Sequence, residues 1–292
     1  MKNGLHILLL IFCLISCYTS VAQTKRALVI GVGKYPELSG WKTINGDKDV
    51  PIVTGMLNNL GFKHENIYVL VNEKATYKNI INQFDRMIKT SNSGDVIYIH
   101  FSGHGQLISD TNGDEKDGFD ESIVPYDAFK QYKKGVYEGQ HHITDDLINS
   151  YLSDLKHVVG KNGMIIFVDD ACHSGDISRS ENAEEEDVAR GTADKFILEK
   201  VSNSKTIKES LIDWISISAC KSYQTNYEYK TSDGHSVGKL TYLINRSIRE
   251  VKTLTITDLM NYVSKMMVEI SKYPQDPELD CPTKYRNYLL KR

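Results

Sequence analysis

Asp95-Val96-Ile97-Tyr98-Ile99-His100-Phe101 runs into Ser102-Gly103-His104-Gly105, and Gly163-Met164-Ile165-Ile166-Phe167-Val168 runs into Asp169-Asp170-Ala171-Cys172-His173-Ser174-Gly175. Each segment is an apolar, β-branched run that ends in a glycine-flanked polar cluster. Continuous apolar runs of this length read as strands buried on both faces, the habit of parallel sheets. In such sheets, sites form outside the carboxyl ends of the strands. His104 and Cys172 both lie a few residues past a strand end, so one sheet edge presents an imidazole and a thiol.

Working outward, Arg26 to Val32, Ile67 to Val71 and Trp214 to Ala219 are further strand runs. Between them, Asp49 to Leu60, Thr76 to Lys89 and Thr144 to about Leu155 repeat apolar residues at helical spacing, and Thr257 to about Ser271 closes the helical set. Residues near Tyr288 to Leu290 suggest an added edge strand. Strands alternating with helices predict an α/β fold with a mostly parallel sheet covered on both faces.

The composition suits an ordinary globular chain: 292 residues, 40% apolar, 25% charged, formal charge −3. No broad positive field exists for phosphates, so nucleic acid is not an expected partner. Residues 1–22 read as a signal peptide, with Lys2, an apolar core from Leu8 to Ile15, and Ser20-Val21-Ala22 before the cut. That core is well short of the roughly 18 to 20 residues a membrane span needs. Simple export is the reading adopted; its alternative is a lipid anchor at Cys17, since Leu14-Ile15-Ser16-Cys17 resembles a lipoprotein box.

Beyond the leader remain Cys172, Cys220 and Cys281, an odd number with no C-x-x-C spacing, which excludes a disulfide framework or a zinc site. A thiol becomes a nucleophile when a nearby histidine takes its proton, and the same histidine later protonates the leaving amine. The N–H groups of Gly105 and Cys172 are candidates for an oxyanion site. Residues two apart on a strand share a face, which groups Asp170 with Cys172 and Ser102 with His104. A carboxylate there favours Lys or Arg before the scissile bond. His173 is expected to point away from the sulfur, Asp169 to bond a neighbouring loop, and Cys220 to fill space.

Residues 176–210 are polar, with five acids in Glu181 to Asp187, and read as an exposed loop whose Arg179, Arg190 and Lys195 are open to proteolysis.

The segments SGHG and DACHSG resemble those of caspase-like cysteine peptidases, in particular metacaspases and their bacterial relatives. Further matches are Asp49, ESIVPYD (121–127), ITDDL (143–147), ISISACKSYQTNYEY (215–229) and Gln275-Asp276-Pro277. The resemblance implies a three-layer α/β/α sandwich on a six-stranded sheet. It divides the peptidase domain (23–292) into a large-subunit-like part (23–178), a processing loop (179–210) and a small-subunit-like part (211–292). It further implies His104 as base, Cys172 as nucleophile, Asp49, Ser102 and Asp170 around a basic side chain, and self-cleavage after Arg179, Arg190 or Lys195. No cofactor is required for the chemistry. Calcium enters only through acids matching Asp127, Asp145 and Asp146, with a second possibility in Asp110 to Glu121, where Asp110, Asn112, Asp114 and Glu121 occupy EF-hand positions but Glu115 replaces the glycine. A catalytically silent scaffold of the same fold, or a legumain-like or clostripain-like peptidase, are the competing classes.

Overall fold

The computed structural model describes residues 23–173, 187–199 and 212–291. The leader, Cys17 and Arg179 lie outside them. In chain order the elements are β1 (Lys25–Gly31), α1 (Gly46–Asn59), β2 (Ile67–Val71), α2 (Tyr77–Thr90), β3 (Val96–Ser102), β4 (Gly105–Ser109), β5 (Phe119–Ile123), β6 (Ile143–Thr144), α3 (Asp145–Val159) and β7 (Met164–Asp170). Then follow β8 (Ile215–Ser218), β9 (Glu228–Lys230), β10 (Ser236–Gly238), α4 (Lys239–Glu250), β11 (Leu254–Thr255), α5 (Ile256–Ile270), β12 (Glu278–Asp280) and β13 (Leu289–Lys291).

The central sheet has six strands in the order β12-β8-β7-β3-β1-β2, all parallel except β12. Strand alternation splits its side chains between two cores. Ala27, Val29, Tyr98, Ile166 and Val168 pack under α1, α4 and α5, whereas Leu28, Ile30, Ile97, Ile99, Phe101, Ile165 and Phe167 pack under α2 and α3. That is the expected three-layer sandwich. Each face needs its own helices because a strand buried on both sides exposes none of its apolar residues to water.

Three expectations about elements change. The sixth strand is Glu278–Asp280 and not the 288–290 region, which instead forms β13 in a two-stranded ribbon with β11. Helix α4 was not anticipated, although Leu240, Leu243, Ile244 and Ile248 lie along one buried face. Residues 187–199 are not exposed loop: Arg190, Thr192 and Phe196 are buried, and Phe196 pairs with β4 through Phe196 N–H to the Leu107 carbonyl (2.8 Å) and Ser109 N–H to the Phe196 carbonyl (3.0 Å). An aromatic side chain in the small core with Trp41, Val124 and Tyr137 outweighs the polar composition around it.

Candidate active site

Strands β3 and β7 pair in parallel with Ser102 opposite Asp170. The chain therefore leaves both strands level, and His104 and Cys172 each follow two residues later. The backbone N–H groups of Gly105 and Cys172 converge on one oxygen, the carbonyl of Arg190, at 3.2 and 3.0 Å. Two amides sharing one carbonyl oxygen can stabilise negative charge developing there. Only glycine fits at 105, since a Cβ would lie 2.7 Å from the Cys172 carbonyl oxygen.

The His104 ring stacks on Trp41 with centroids 4.7 Å apart. Its Nε2 lies 2.8 Å from the Lys42 carbonyl oxygen. A carbonyl only accepts, so Nε2 carries the hydrogen and Nδ1 presents a lone pair. Nδ1 is buried without a hydrogen-bond partner among the described residues. Burial, reinforced by the nearby Arg190 charge, holds the imidazole pKa down to about 4 against the pull of the Lys42 carbonyl. The ring is thus neutral near pH 7 and able to accept a proton.

The Cys172 thiol is buried and donates to the Gln224 carbonyl oxygen at 3.1 Å; Cys220 donates to the same oxygen at 3.4 Å. The neighbouring Cys172 sulfur and burial both push the Cys220 thiol well up, so it stays protonated. All three cysteines of the described chain are free thiols. His173 turns from the sulfur to bond Asp169 Oδ2 (2.9 Å) and the Ser122 carbonyl (3.1 Å). Burial alone would lower its pKa, but the Glu121 and Asp169 carboxylates raise it to about 10, so it is an imidazolium. Trp214 is core, whereas Tyr223 is exposed.

Arg190, expected on an accessible loop, is fully buried beside these groups. Its Nη1 lies 2.6 Å from Asp49 Oδ2 and 3.7 Å from Asp170 Oδ1, and its Nη2 lies 3.2 Å from Glu228 Oε1. The carboxylates of this box come from α1, β7 and β9. Asp49 sits in the first turn of α1 and accepts Gly238 N–H (3.0 Å). Asp170 ends β7 on the α4 face, where the Thr241 N–H and hydroxyl bond its Oδ2 at 2.8 and 2.6 Å and Asn226 bonds its Oδ1 at 2.8 Å. Gly238 is obligatory, because a Cβ there would fall 2.1 Å from Asp170 Oδ2. Burial works against ionised Asp170, yet Arg190 and these donors hold its pKa below the ordinary value. Burial and the Asp170 charge push Asp49 up to about 6 despite Arg190. Ser102 is one step removed, bonding His100 (3.1 Å) and Thr241 (3.5 Å) behind the box.

Arg190 lies at a bend whose two sides are tied to the fold. Its N–H bonds the Asn226 carbonyl (2.9 Å), Glu228 N–H bonds the Val188 carbonyl (2.9 Å), and Ala189 bridges Tyr227. Beyond it, Gly191 bridges Gly105 and Phe196 bridges Ile108. Residues 187–196 therefore cross the site as a segment pinned by isolated bridges. Lys195 is exposed on the far side, over the Phe119 ring.

Glu228 and Asn226 were missed, although their spacing of two within Asn226-Tyr227-Glu228-Tyr229 places both on one face of an extended segment. Nothing in the sequence marked Trp41 or Lys42.

The acids expected to hold calcium do not all meet. Asp127 accepts Tyr77 N–H (2.8 Å) and lies 3.2 Å from His141. Asp120, buried on β5, takes its place near Asp145 and Asp146. Glu121 lies 3.9 Å from His173 and its charge also reaches Asp145, while Asp110, Asp114 and Asp120 offer oxygens within 4.8 Å of one another. Burial and the acids around them push Asp120 up to about 8 and Asp145 to about 7. Asp145 Oδ1 is a buried oxygen with no hydrogen-bond partner among the described residues. An all-oxygen set with an orphaned carboxylate oxygen fits a hard cation such as calcium.

No helix among the described residues is long and apolar enough to cross a membrane. The sequence pattern of the caspase domain matches residues 24–288. Metacaspase-1 of Mycosarcoma maydis is 26% identical over 306 residues, spanning 90% of this chain and 71% of that protein. Metacaspase-6 of Arabidopsis thaliana is 31% identical over 213 residues, 66% of this chain and 52% of the relative. The crystal structure of a Geobacter sulfurreducens protein shares the fold with a TM-score of 0.64 at 18% identity, covering 90% of this chain and 97% of the other. With a caspase-domain match along almost all of the described chain, this protein belongs to the caspase-like family, in its metacaspase-like branch, and is a cysteine-type endopeptidase.

Proposed function

We propose that this peptidase cleaves after Arg or Lys, that its first substrate is its own Arg190–Gly191 bond, and that it acts after export. The observation behind this reading is the posture of Arg190: guanidinium among Asp49, Asp170 and Glu228, carbonyl oxygen on the Gly105 and Cys172 amides. In the proposed reaction His104 Nδ1 takes the Cys172 proton. A thiolate cannot donate to Gln224, so the sulfur leaves that bond and attacks the Arg190 carbonyl carbon. The two amides hold the oxyanion. The C–N bond to Gly191 breaks, His104 returns the proton to the departing amine, and water then hydrolyses the thioester. The His173 imidazolium beside Cys172 favours the thiolate.

The forked guanidinium reaches two or more carboxylates at once, so Arg is expected to exceed Lys. Calcium would be held by Asp120, Asp145 and Asp146 with Asp110, where it would neutralise crowded acids near β5 and α3. Export rests on the leader at 1–22, with Cys17 anchoring as the alternative, and the N-terminus of protein recovered from cells separates the two.

Mass spectrometry of the purified protein is expected to find fragments ending at Arg190 and starting at Gly191, and these are absent from Cys172→Ala. Cleavage at Arg190 that persists in Cys172→Ala overturns the reading.

A further inference from the structure

We infer that the site also selects an acidic residue four positions upstream of the scissile bond, through Lys272, Tyr273 and Lys239. The inference rests on the proposed cut at Arg190 and deepens it.

Counting back from Arg190, the docked segment reads Ala189, Val188, Asp187. Val188 is held by the Glu228 N–H, and Ala189 pairs with Tyr227. The next residue, Asp187, is the last acid of the Glu181 to Asp187 run, and it is not solvated. Its Oδ2 accepts the Tyr273 hydroxyl at 2.9 Å, and its Oδ1 lies 3.3 Å from Lys272 Nζ. Its side chain is 14% exposed. These contacts sit at the rim of a cleft of about 600 Å³ lined by Tyr227, Tyr229, Lys230, Lys239, Lys272 and Tyr273 among others. The lining thus includes three lysines, with Lys239 buried. Tyr227 packs at a tilt against Tyr273 with ring centroids 4.9 Å apart, and Lys239 bonds Gln275 Oε1 at 3.2 Å and faces the Tyr227 ring.

The charges along the docked segment therefore alternate with those of the site. The three-carboxylate box takes the cation, and the lysine-rich cleft takes the anion three residues earlier. An extended peptide has no internal hydrogen bonds, so such fixed partners for side chains determine which sequence seats in register. A lysine at this position would face Lys272, Lys230 and Lys239, whereas an aspartate reproduces the contacts of Asp187. The favoured substrate class is then an extended segment of the type Asp-Val-Ala-Arg followed by a small residue. Glycine follows here because a Cβ at 191 would lie 2.0 Å from the Cys172 carbonyl oxygen.

Three fluorogenic tetrapeptides ending in Val-Ala-Arg and beginning with Asp, Ala or Lys test this with the purified protein. We expect kcat/KM about tenfold higher for Asp than for Ala, the scale of one charge-assisted hydrogen bond at a partly exposed site, and lowest for Lys. Lys272→Glu, a change at an exposed side chain, is expected to erase the Asp advantage and favour Lys at the first position. Equal rates for all three peptides, with Arg still required before the cut, overturn this inference alone. Failure to cleave any Arg peptide overturns the inference and the Arg-directed reading together.

Discussion

Two clusters of buried acids sit in this molecule, and they fare differently. Asp49, Asp170 and Glu228 surround the guanidinium of Arg190, and there Asp170 is held below its ordinary pKa while Asp49 rises only to about 6. Asp110, Asp120, Asp145 and Asp146 crowd together with no Lys or Arg ion pair among the described residues, and there Asp120 and Asp145 are pushed up to about 8 and 7. Both sets combine burial with mutual repulsion. What separates them is a cation of the chain itself: the first cluster is supplied one by residue 190, while the second must protonate or capture an ion from solution.

Removing the internal cation should have the largest effect. In a Cys172→Ala background, where the chain stays uncut, Arg190→Ala leaves three carboxylates buried without their partner and should cost about 3–5 kcal/mol in urea unfolding. Arg190→Lys should recover part of it. An unchanged midpoint would erase the contrast between the clusters.

Supplying the second cluster with a cation should come next. At pH 8, calcium at a hundredfold excess over its dissociation constant should stabilise the protein by about 2.7 kcal/mol, and Asp120→Asn should abolish that gain. The pH sign can be worked out from the raised pKa values. A carboxyl whose pKa is raised on folding favours the fold while protonated, so its contribution is complete below the ordinary carboxylate range and is lost as pH climbs through 7 to 8. The chelated protein should therefore weaken as pH rises from about 4 to about 8. Asp120→Asn should flatten that slope and stabilise by about 1 kcal/mol at pH 8. A slope of opposite sign would remove the second cluster from the comparison.

The smallest effect expected is on rate. With Arg190 docked and His104 held to about 4, self-cleavage should stay nearly flat from pH 7 to 5 and fall as pH approaches 4. Half-loss near 6.5 would mean an imidazole that water reaches.

Local pattern made much of this legible. Apolar runs marked β1, β3 and β7, alternation of isoleucine with serine marked β8, and the glycine-flanked His104 together with Cys172 marked the sheet edge. Asp49 and Asp170 came from the family resemblance and strand parity. What escaped depended on long-range company. Arg190 reads as an exposed cleavage site because its burial is decided by Asp49, 141 positions away, and by Glu228. Asp120 and Asp127 are equally acidic in sequence, and only the twist of β5 places one with Asp145. Lys42 acts through a carbonyl that every residue has.

The central sheet draws β7 from before Arg190 and β8 from after it, in seamless parallel register from Ile166 beside Ile215 to Asp169 beside Ser218. Scission at 190, as proposed, would therefore yield two polypeptides on a denaturing gel but a single particle on a sizing column. Once unfolded, the pieces would have to find each other at a rate set by concentration. An enzyme cut there would be a product of history, assembled while its halves were still tethered and unable to regenerate itself efficiently when dilute.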